Sequence, residues 1–338
     1  MEESRAERTR TPTIRDVARQ AGVGVGTVSR VLNDSPAVTK ATHARVRAAI
    51  DQLGYRRSST ARNLSLGRSH AIGVVAPFFT SPSVVERLSG VVASLSERGY
   101  ALMLFSVETP RQSAEAFQEV ARHRVDGLLV ISLPLTEEEL GLLQSDDVPV
   151  VLIDVAHDDL SHVAIDDVRG GVLATEHLMS KGHECIAFVG DEPDNPFGFT
   201  SSERRRKGYE RALKKHNLGP RPELQALGRF GRNEARELAA ELLRRDERPT
   251  AVFAASDVQA FGVLEAAADL GLRVPEDLAV IGFDDIEMAR VLELTTVRQP
   301  LRATGQRGAD LLLAAIESDF DGTVTELEPL TVVERKTA

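Results

Sequence analysis

Residues 13–55 constrain the fold more than any other part of the 338-residue chain, because three short helical patterns follow one another there with very brief turns. In the first pattern, apolar residues recur at positions i, i+3, i+4 and i+7, which lie on one face of a helix: Ile14, Val17, Ala18 and Ala21. A helix of this length is marginal alone. The segment therefore predicts three helices that pack on one another.

The second pattern turns Val28, Val31 and Leu32 inward and leaves the residues at its amino-terminal end outside. Gly22 ends the first helix, and the third pattern braces the first two. Two helices joined by a glycine-containing turn and braced by a third form a helix-turn-helix unit, whose second helix enters the major groove of DNA. The alternative interpretation is a small helical bundle that binds nothing.

The distribution of charge favours DNA binding. Residues 1–69 hold 13 Lys and Arg against 6 Asp and Glu, a net charge of +7, so the other 269 residues carry −17 and bring the chain to −10. One basic end on an acidic chain indicates that this end alone meets a polyanion.

The spacing AGVxxxTVSRVLN, followed by LGY at 53–55, resembles the DNA-binding segment of the lactose-repressor (LacI/GalR) family of transcription regulators. Gly24 stands where the family usually has Ser, which removes a helix cap and a phosphate contact. Val25 and Gly26 can offer the bases only methyl contact and close approach. The resemblance implies DNA contacts from Thr13, Val25, Gly26, Thr27, Ser29, Arg30, Asn33 and Tyr55.

Residues 58–69 are basic and polar and lack an apolar stripe. The family resemblance implies a hinge helix here, in which Arg62 contacts DNA and Leu64 wedges between bases from the minor groove. So short a helix can be disordered away from DNA and ordered on it, which makes it a switch. Alternatively, Leu64 packs on the following domain.

The chain length predicts two or three domains, preceded by a charged, disordered tail over residues 1–12. The hydrophobic content of 42% is ample for a buried core, and the single Cys185 excludes an internal disulfide. With no signal peptide and no apolar run near the ~20 residues that a bilayer needs, we expect a soluble cytoplasmic protein without a membrane segment. The chain has no HExxH, paired-cysteine or P-loop motif, so we expect no metal and no cofactor.

From Ala71 onward, short apolar runs alternate with helical patterns, which predicts parallel sheets covered by helices on both faces. The runs are too many for one ordinary sheet, and the pattern restarts near Val168, so we infer two α/β lobes. The apolar runs are 72–76, 101–105, 127–131, 150–153, 163–165, 186–189, 251–254 and 279–282.

This region resembles the type I periplasmic-binding-protein fold of the same family, through phrases such as IGVVAP at 72–77, RRKGY at 205–209 and AVIGFDD at 279–285. The resemblance covers essentially the full chain. It predicts an all-α helix-turn-helix domain over residues 13–57 and an α/β effector-binding and dimerisation domain over residues 70–338. Three crossings between lobes would divide that domain into lobe one (about 70–167 and 300–325) and lobe two (about 168–298 and 326–338).

Ligands of open α/β sheets bind beyond the carboxyl ends of the strands. Carboxylates there suit a ligand rich in hydroxyl groups, because each ionised oxygen accepts more than one hydrogen bond. Arg205 can hold two oxygens in a planar fork, and Asp166 can equally cap the next helix. The family resemblance implies that Phe230 lies near an aromatic position that stacks on a sugar ring. The candidate effector residues, from strand ends and from the family resemblance, are Phe79, Asp154, Asp166, Arg205, Phe230, Ser256, Asp284 and Gln299.

These features predict a ligand-responsive DNA-binding repressor without catalytic residues, acting as a homodimer on a pseudo-palindromic operator. The Asp and Arg set with Phe230 favours a sugar effector and control of carbohydrate-utilisation genes. Alternatives within the family are a purine-responsive regulator and one assisted by a phosphocarrier protein. A sugar-binding transport protein would need an export signal, and a DNA-binding head argues against a glycoside-acting enzyme.

Overall fold

The computed structural model describes residues 12–55, 69–144, 148–219, 221–317 and 323–338. They fall into two compact units, one up to Ser69 and one from His70 to the carboxyl end. Residues 1–11 of the predicted tail (1–12) and residues 58–68 of the predicted hinge (58–69), which include Arg62 and Leu64, lie outside the described residues.

Three helices form the first unit: α1 (Ile14–Ala21), α2 (Val25–Leu32) and α3 (Lys40–Leu53). The backbone N–H and the hydroxyl of Thr13 both donate to the Asp16 carboxylate, at 2.9 and 2.7 Å, which holds the start of α1. Gly22 and Gly54 end α1 and α3 in the left-handed conformation. The buried core contains Val17, Ala18, Ala21, Val28 and Val31 of the two predicted stripes, together with Val46 and Ala49 of α3, while the predicted Ile14 and Leu32 are partly buried against it.

The second unit contains two six-stranded sheets, each the centre of one lobe. The strands of the first sheet are β1 (Ala71–Pro77), β2 (Ala101–Val107), β3 (Gly127–Ile131), β4 (Val150–Ile153), β5 (Ser161–Ile165) and β11 (Thr325–Glu328). They are parallel and lie in the order β2-β1-β3-β4-β5-β11.

The strands of the second sheet are β6 (Ile186–Asp191), β7 (Gln225–Gly228), β8 (Ala251–Ala254), β9 (Ala279–Asp284), β10 (Thr295–Arg298) and β12 (Thr331–Val333). Their order is β7-β6-β8-β9-β10-β12, in which β12 pairs antiparallel to β10 and the other pairs are parallel.

Helices cover both faces of each sheet, and each face has its own apolar core. In the first lobe they are α4 (Pro82–Glu97), α5 (Pro110–Arg122), α6 (Glu137–Gln144) and α12 (Leu301–Glu317). In the second lobe they are α7 (Asp167–Ser180), α8 (Ser201–Lys215), α9 (Arg232–Leu243), α10 (Asp257–Asp269) and α11 (Glu287–Val291). None of the helices in the described ranges is long and apolar enough to cross a membrane. The predicted fold class is confirmed.

The chain passes between the lobes at three places: from β5 to α7, from β10 to α12, and from β11 to β12. Helix α12 packs along α4 at very short range. A Cβ atom at Gly305 would lie 2.0 Å from the backbone oxygen of Arg87, so this contact requires glycine. The three crossings therefore leave from the ends of β5, β10 and β11.

Candidate effector site and nucleic-acid interface

A cavity of about 340 Å³ lies between the two lobes, where the parallel strands of both sheets end. Residues that follow β1, β3 and β4 line it from the first lobe, and residues at the ends of β6, β8 and β9 line it from the second. This is where open α/β sheets bind their ligands. The volume is at the small end of the range of about 300–1,000 Å³ that is typical of ligand pockets.

Six of the eight predicted effector residues line this cavity: Asp154, Arg205, Phe230, Ser256, Asp284 and Gln299. The other two do not. Phe79 is 41% exposed, and its neighbour Phe78 lines the cavity instead. The Asp166 carboxylate accepts the Arg169 backbone N–H at 3.0 Å and so caps α7.

Adjacent residues beyond a strand point in different directions, and this explains both displacements. While Asp166 turns back to cap α7, Asp167 lines the cavity beside Arg205. Asp166 and Phe79 are therefore placed beside the site rather than in it.

Arg205 is the buried cation of the second lobe. Its Nε donates to Asp167 Oδ1 at 2.8 Å and its Nη1 to the Ala255 carbonyl oxygen at 2.8 Å. The guanidinium carbon lies 3.8 Å from the centroid of the Phe283 ring, and Asp284 Oδ1 is 3.8 Å from Nη1. Burial lowers the pKa of Arg205, but the surrounding carboxylates, led by Asp167, raise it above its ordinary value. Arg205 is thus a fixed positive charge held in one orientation.

A second guanidinium, that of Arg87 on α4, lies on the first-lobe side. Its Nη2 contacts Asp154 Oδ1 at 2.6 Å and donates to Gln299 Oε1 at 2.8 Å. The Gln299 amide nitrogen in turn donates to Asp284 Oδ1 at 2.5 Å. A chain of polar contacts therefore runs from Asp154 in the first lobe to Asp284 in the second.

Negative charge is crowded at the cavity. Burial raises the pKa of Asp191 to about 6, although Arg205 and a hydrogen bond from Gln259 oppose the rise. Burial also raises the pKa of Asp284 to about 6, against Arg205 and the bond from Gln299. In both carboxylates burial outweighs the nearby positive charge, so groups that donate hydrogen bonds would stabilise them.

Several residues that line the cavity have backbone angles in the left-handed region. They are Phe78 (φ 44°), Ser132 (φ 53°), Asp154 (φ 72°) and Asp284 (φ 123°). Such conformations cost on the order of 1–3 kcal/mol each in residues other than glycine, and they cluster at functional sites. The strain places these side chains at the strand ends, which is consistent with a binding site.

Asp257 supports the turn that carries Asp284. It is fully buried, and its two oxygens accept the Ile286 backbone N–H at 3.0 Å and the Thr296 hydroxyl at 2.6 Å. Burial raises the pKa of Asp257 well above its ordinary value. Asp257 therefore holds the strained turn without lining the cavity itself.

Aromatic rings form one wall of the cavity. Phe78 of the first lobe makes edge contacts with Phe197 and Phe199 of the second lobe, at centroid distances of 5.2 and 6.4 Å. The rings of Phe197 and Phe199 stack at 5.1 Å. The Asn195 side chain holds their loop by two hydrogen bonds of 2.8 Å to the backbone of Phe199. Phe230 is 54% exposed and lines the cavity from another side.

Four further residues line the cavity that were not predicted from the sequence: Arg87, Asp167, Asp191 and Phe199. For Arg87 a signal was present, because it lies three residues after Val84 and four before Val91, on the buried face of α4. For Asp191 the signal was its position at the end of β6.

The predicted DNA-contacting residues of the first unit lie mainly on α2. Val25, Gly26 and Arg30 are exposed, and Thr27 and Ser29 are half-buried. Gly24 caps α2 without a side-chain hydrogen bond, as the absence of Ser predicts. Thr13 and Tyr55 are half-buried and Asn33 is exposed. Of the predicted DNA-contacting residues, the exposed face of α2 therefore carries Val25, Gly26 and Arg30.

Comparisons with known proteins agree with this arrangement. Residues 13–58 match the family described as bacterial regulatory proteins, lacI family, and residues 175–338 match a periplasmic binding protein-like domain. The ribose operon repressor of Escherichia coli (strain K12) is 37% identical over 310 residues, which cover 90% of this chain and 93% of that protein.

The HTH-type transcriptional repressor PurR of Pectobacterium atrosepticum is 36% identical over 332 residues, which cover 96% of each protein. Among solved structures, a lac repressor dimer bound to operator and the anti-inducer ONPF is similar with a TM-score of 0.86 at 26% identity. That similarity covers 97% of this chain and 99% of the other.

Proposed function

The chain belongs to the lacI family of bacterial regulatory proteins and is a ligand-responsive transcription regulator rather than an enzyme. From this premise we propose that a small sugar bound in the interlobe cavity controls the affinity of the protein for its operator. The observation that carries the choice of ligand is the surplus of acceptors at the cavity. Asp154, Asp167, Asp191 and Asp284 all line it. Sugar hydroxyl groups would donate to these carboxylates, and an aromatic wall would cover the apolar face of the ring.

We further propose that the protein represses carbohydrate-utilisation genes as a cytoplasmic homodimer. A dimer presents two copies of α2, so its operator would be a pseudo-palindrome. The name of the ribose operon repressor and the dimeric, operator-bound lac repressor support this assignment.

The proposed domain organisation places the link between the two units in a hinge over residues 58–69, after a helix-turn-helix domain over residues 13–57. In this proposal Arg62 and Leu64 contact DNA, as do the exposed residues of α2. An effector that binds the protein with different affinity in its two hinge states, ordered and disordered, would shift the free energy of operator binding by about 1–3 kcal/mol.

A thermal-shift screen tests the proposed ligand class. We expect D-ribose, D-glucose or another small sugar to raise the melting temperature, because a ligand that binds only the folded state stabilises it. In Arg205→Lys the sugar should raise the melting temperature much less, since lysine cannot make both hydrogen bonds of the Arg205 guanidinium to Asp167 and to the Ala255 carbonyl oxygen. Arg211→Lys, an exposed position on the same helix α8, is the matched control and should keep it.

The second candidate effector is a purine. The aromatic wall of Phe78 and Phe199 could stack on a base as well as on a sugar, and one relative is named as the repressor PurR. Stabilisation by hypoxanthine or guanine, with none by sugars, would reverse the proposed ligand class while leaving the family assignment intact.

A further inference from the structure

Arg87 is the most deeply buried guanidinium among the described residues that line the cavity, with 1% of its surface exposed. It projects from α4 on the first-lobe side. Its Nη2 serves two acceptors, Asp154 and Gln299. Its Nε is buried and has no hydrogen-bond acceptor among the described residues.

An unpaired donor on a buried charged group is unfavourable and rare, because the group has lost water without gaining a partner. The Asp154 carboxylate contacts Nη2 with one oxygen and accepts the Ser132 hydroxyl at 2.7 Å with the other, and neither oxygen is a hydrogen-bond partner of Nε. Gln299 is likewise occupied between Arg87 and Asp284. Because Arg87 lines the cavity, a molecule bound there would supply the acceptor that Nε lacks among the described residues.

We propose that Arg87 is an effector-binding residue whose Nε donates a hydrogen bond to an oxygen of the effector. The proposal rests on the proposed function, in which a small molecule occupies this cavity. It adds a chemical requirement to that molecule: a hydroxyl, ring or carbonyl oxygen must face the first lobe while other hydroxyl groups donate to the second-lobe carboxylates.

Arg87 also links this contact to the rest of the second unit. Through Gln299 it reaches Asp284, and α4 packs against α12 so closely that Gly90 and Gly305 meet opposing backbone. A displacement of the Arg87 side chain would therefore change contacts in both lobes. Helix α4 cannot slide past α12 to compensate, because their backbones would collide. Arg87 both binds the effector and ties it to the interlobe contacts.

The experiment compares Arg87→Lys with the wild-type chain by calorimetric titration with D-ribose, D-glucose and hypoxanthine. Lysine keeps the charge beside Asp154 but lacks Nε. Affinity for the probe that binds wild type should fall about ten- to a hundredfold, the range that a hydrogen bond to a charged group carries. Arg98→Lys, at the exposed end of α4 where Arg98 pairs with Glu317, should bind as wild type does.

A deoxygenated probe separates binding from structural support. If D-ribose is the ligand, each deoxyribose isomer is titrated against both proteins. At the position that faces Arg87, loss of the oxygen should weaken binding to wild type but not further weaken binding to Arg87→Lys. A merely structural Arg87 would lower the melting temperature and give additive losses at every position, which would overturn the proposal.

Should Arg87→Lys fail to fold, the same titration compares Asp154→Asn with the double variant Arg87→Met and Asp154→Asn, which removes both charges of the pair together.

Two further outcomes are decisive. Equal affinity of wild type and Arg87→Lys for the same probe contradicts the proposed role of Arg87 and leaves the proposed function intact. Failure of wild type to bind any sugar or purine contradicts the proposed function, and the inference falls with it.

Discussion

Asp191→Asn should stabilise the protein at neutral pH, because the Asp191 carboxylate is largely buried at the cavity and accepts a hydrogen bond from the neutral Gln259 amide. Burial raises its pKa from the ordinary 3.8 to about 6. The Gln259 amide that donates to Asp191 Oδ1 at 2.8 Å can donate equally to the amide oxygen of asparagine. The substitution therefore removes the charge and keeps the hydrogen bond.

The magnitude follows from linkage between protonation and folding. Since the folded state binds the proton more tightly than the unfolded state, stability falls as pH rises from about 4 to about 6 and stays low above that. The difference between 3.8 and about 6 corresponds to about 3 kcal/mol at 1.36 kcal/mol per pKa unit. The free energy of unfolding of Asp191→Asn should not show this fall with pH. Relative to wild type it should be higher by up to that amount at pH 8 and by little at pH 4.

Urea unfolding of both proteins at pH 4, 6 and 8 measures the effect. Asp284, whose pKa is also raised to about 6, remains in both proteins, so its contribution cancels in the comparison. The exposed Asp194 in the same loop provides the control, because Asp194→Asn should change stability little at any pH. A stability difference between wild type and Asp191→Asn that does not change with pH would refute the reasoning.

Three other substitutions test different parts of the account. Arg30→Ala should weaken operator binding about tenfold or more in a gel shift at fixed salt; unchanged affinity would argue against α2 as the recognition helix. Leu64→Ala should reduce DNA bending in a circular-permutation assay, and an equal bend would remove the wedge. Gly171→Ala places a Cβ 2.0 Å from the Arg205 backbone oxygen and should cost about 1–3 kcal/mol in urea unfolding; no loss would contradict the tight packing of α7 on α8.

Strands with strong apolar runs could be predicted from the sequence, and eight runs correspond to β1–β6, β8 and β9. The remaining four strands are short, and local sequence does not reveal their partners. In β10, for example, Thr295 and Thr296 are buried polar residues whose partners are distant in sequence. The Thr295 hydroxyl donates to the Ala338 backbone oxygen, and the Thr296 hydroxyl donates to Asp257 Oδ1. Helix α12 contains Gly305 and Gly308, which disfavour a helix in isolation but allow its close packing on Arg87 and Ile153.

The general position of the cavity could be predicted because parallel strands end together. Individual side chains could not be placed as well. Whether Asp166 or Asp167 enters the cavity depends on which of them caps α7, and two acidic residues in succession leave this choice to the three-dimensional structure. Arg87 lies on the buried, mainly apolar face of α4, where a charged residue indicates a buried partner rather than solvent.

The central claim is that occupancy of the cavity in the acidic second unit changes the affinity of the basic first unit for DNA. Fluorescence anisotropy with a labelled fragment of the protein's own promoter region, at fixed salt and with or without the sugar that stabilises the chain, measures this directly. We expect a change of about 5- to 150-fold in operator affinity. Tight DNA binding that is identical with and without a saturating ligand would contradict the account.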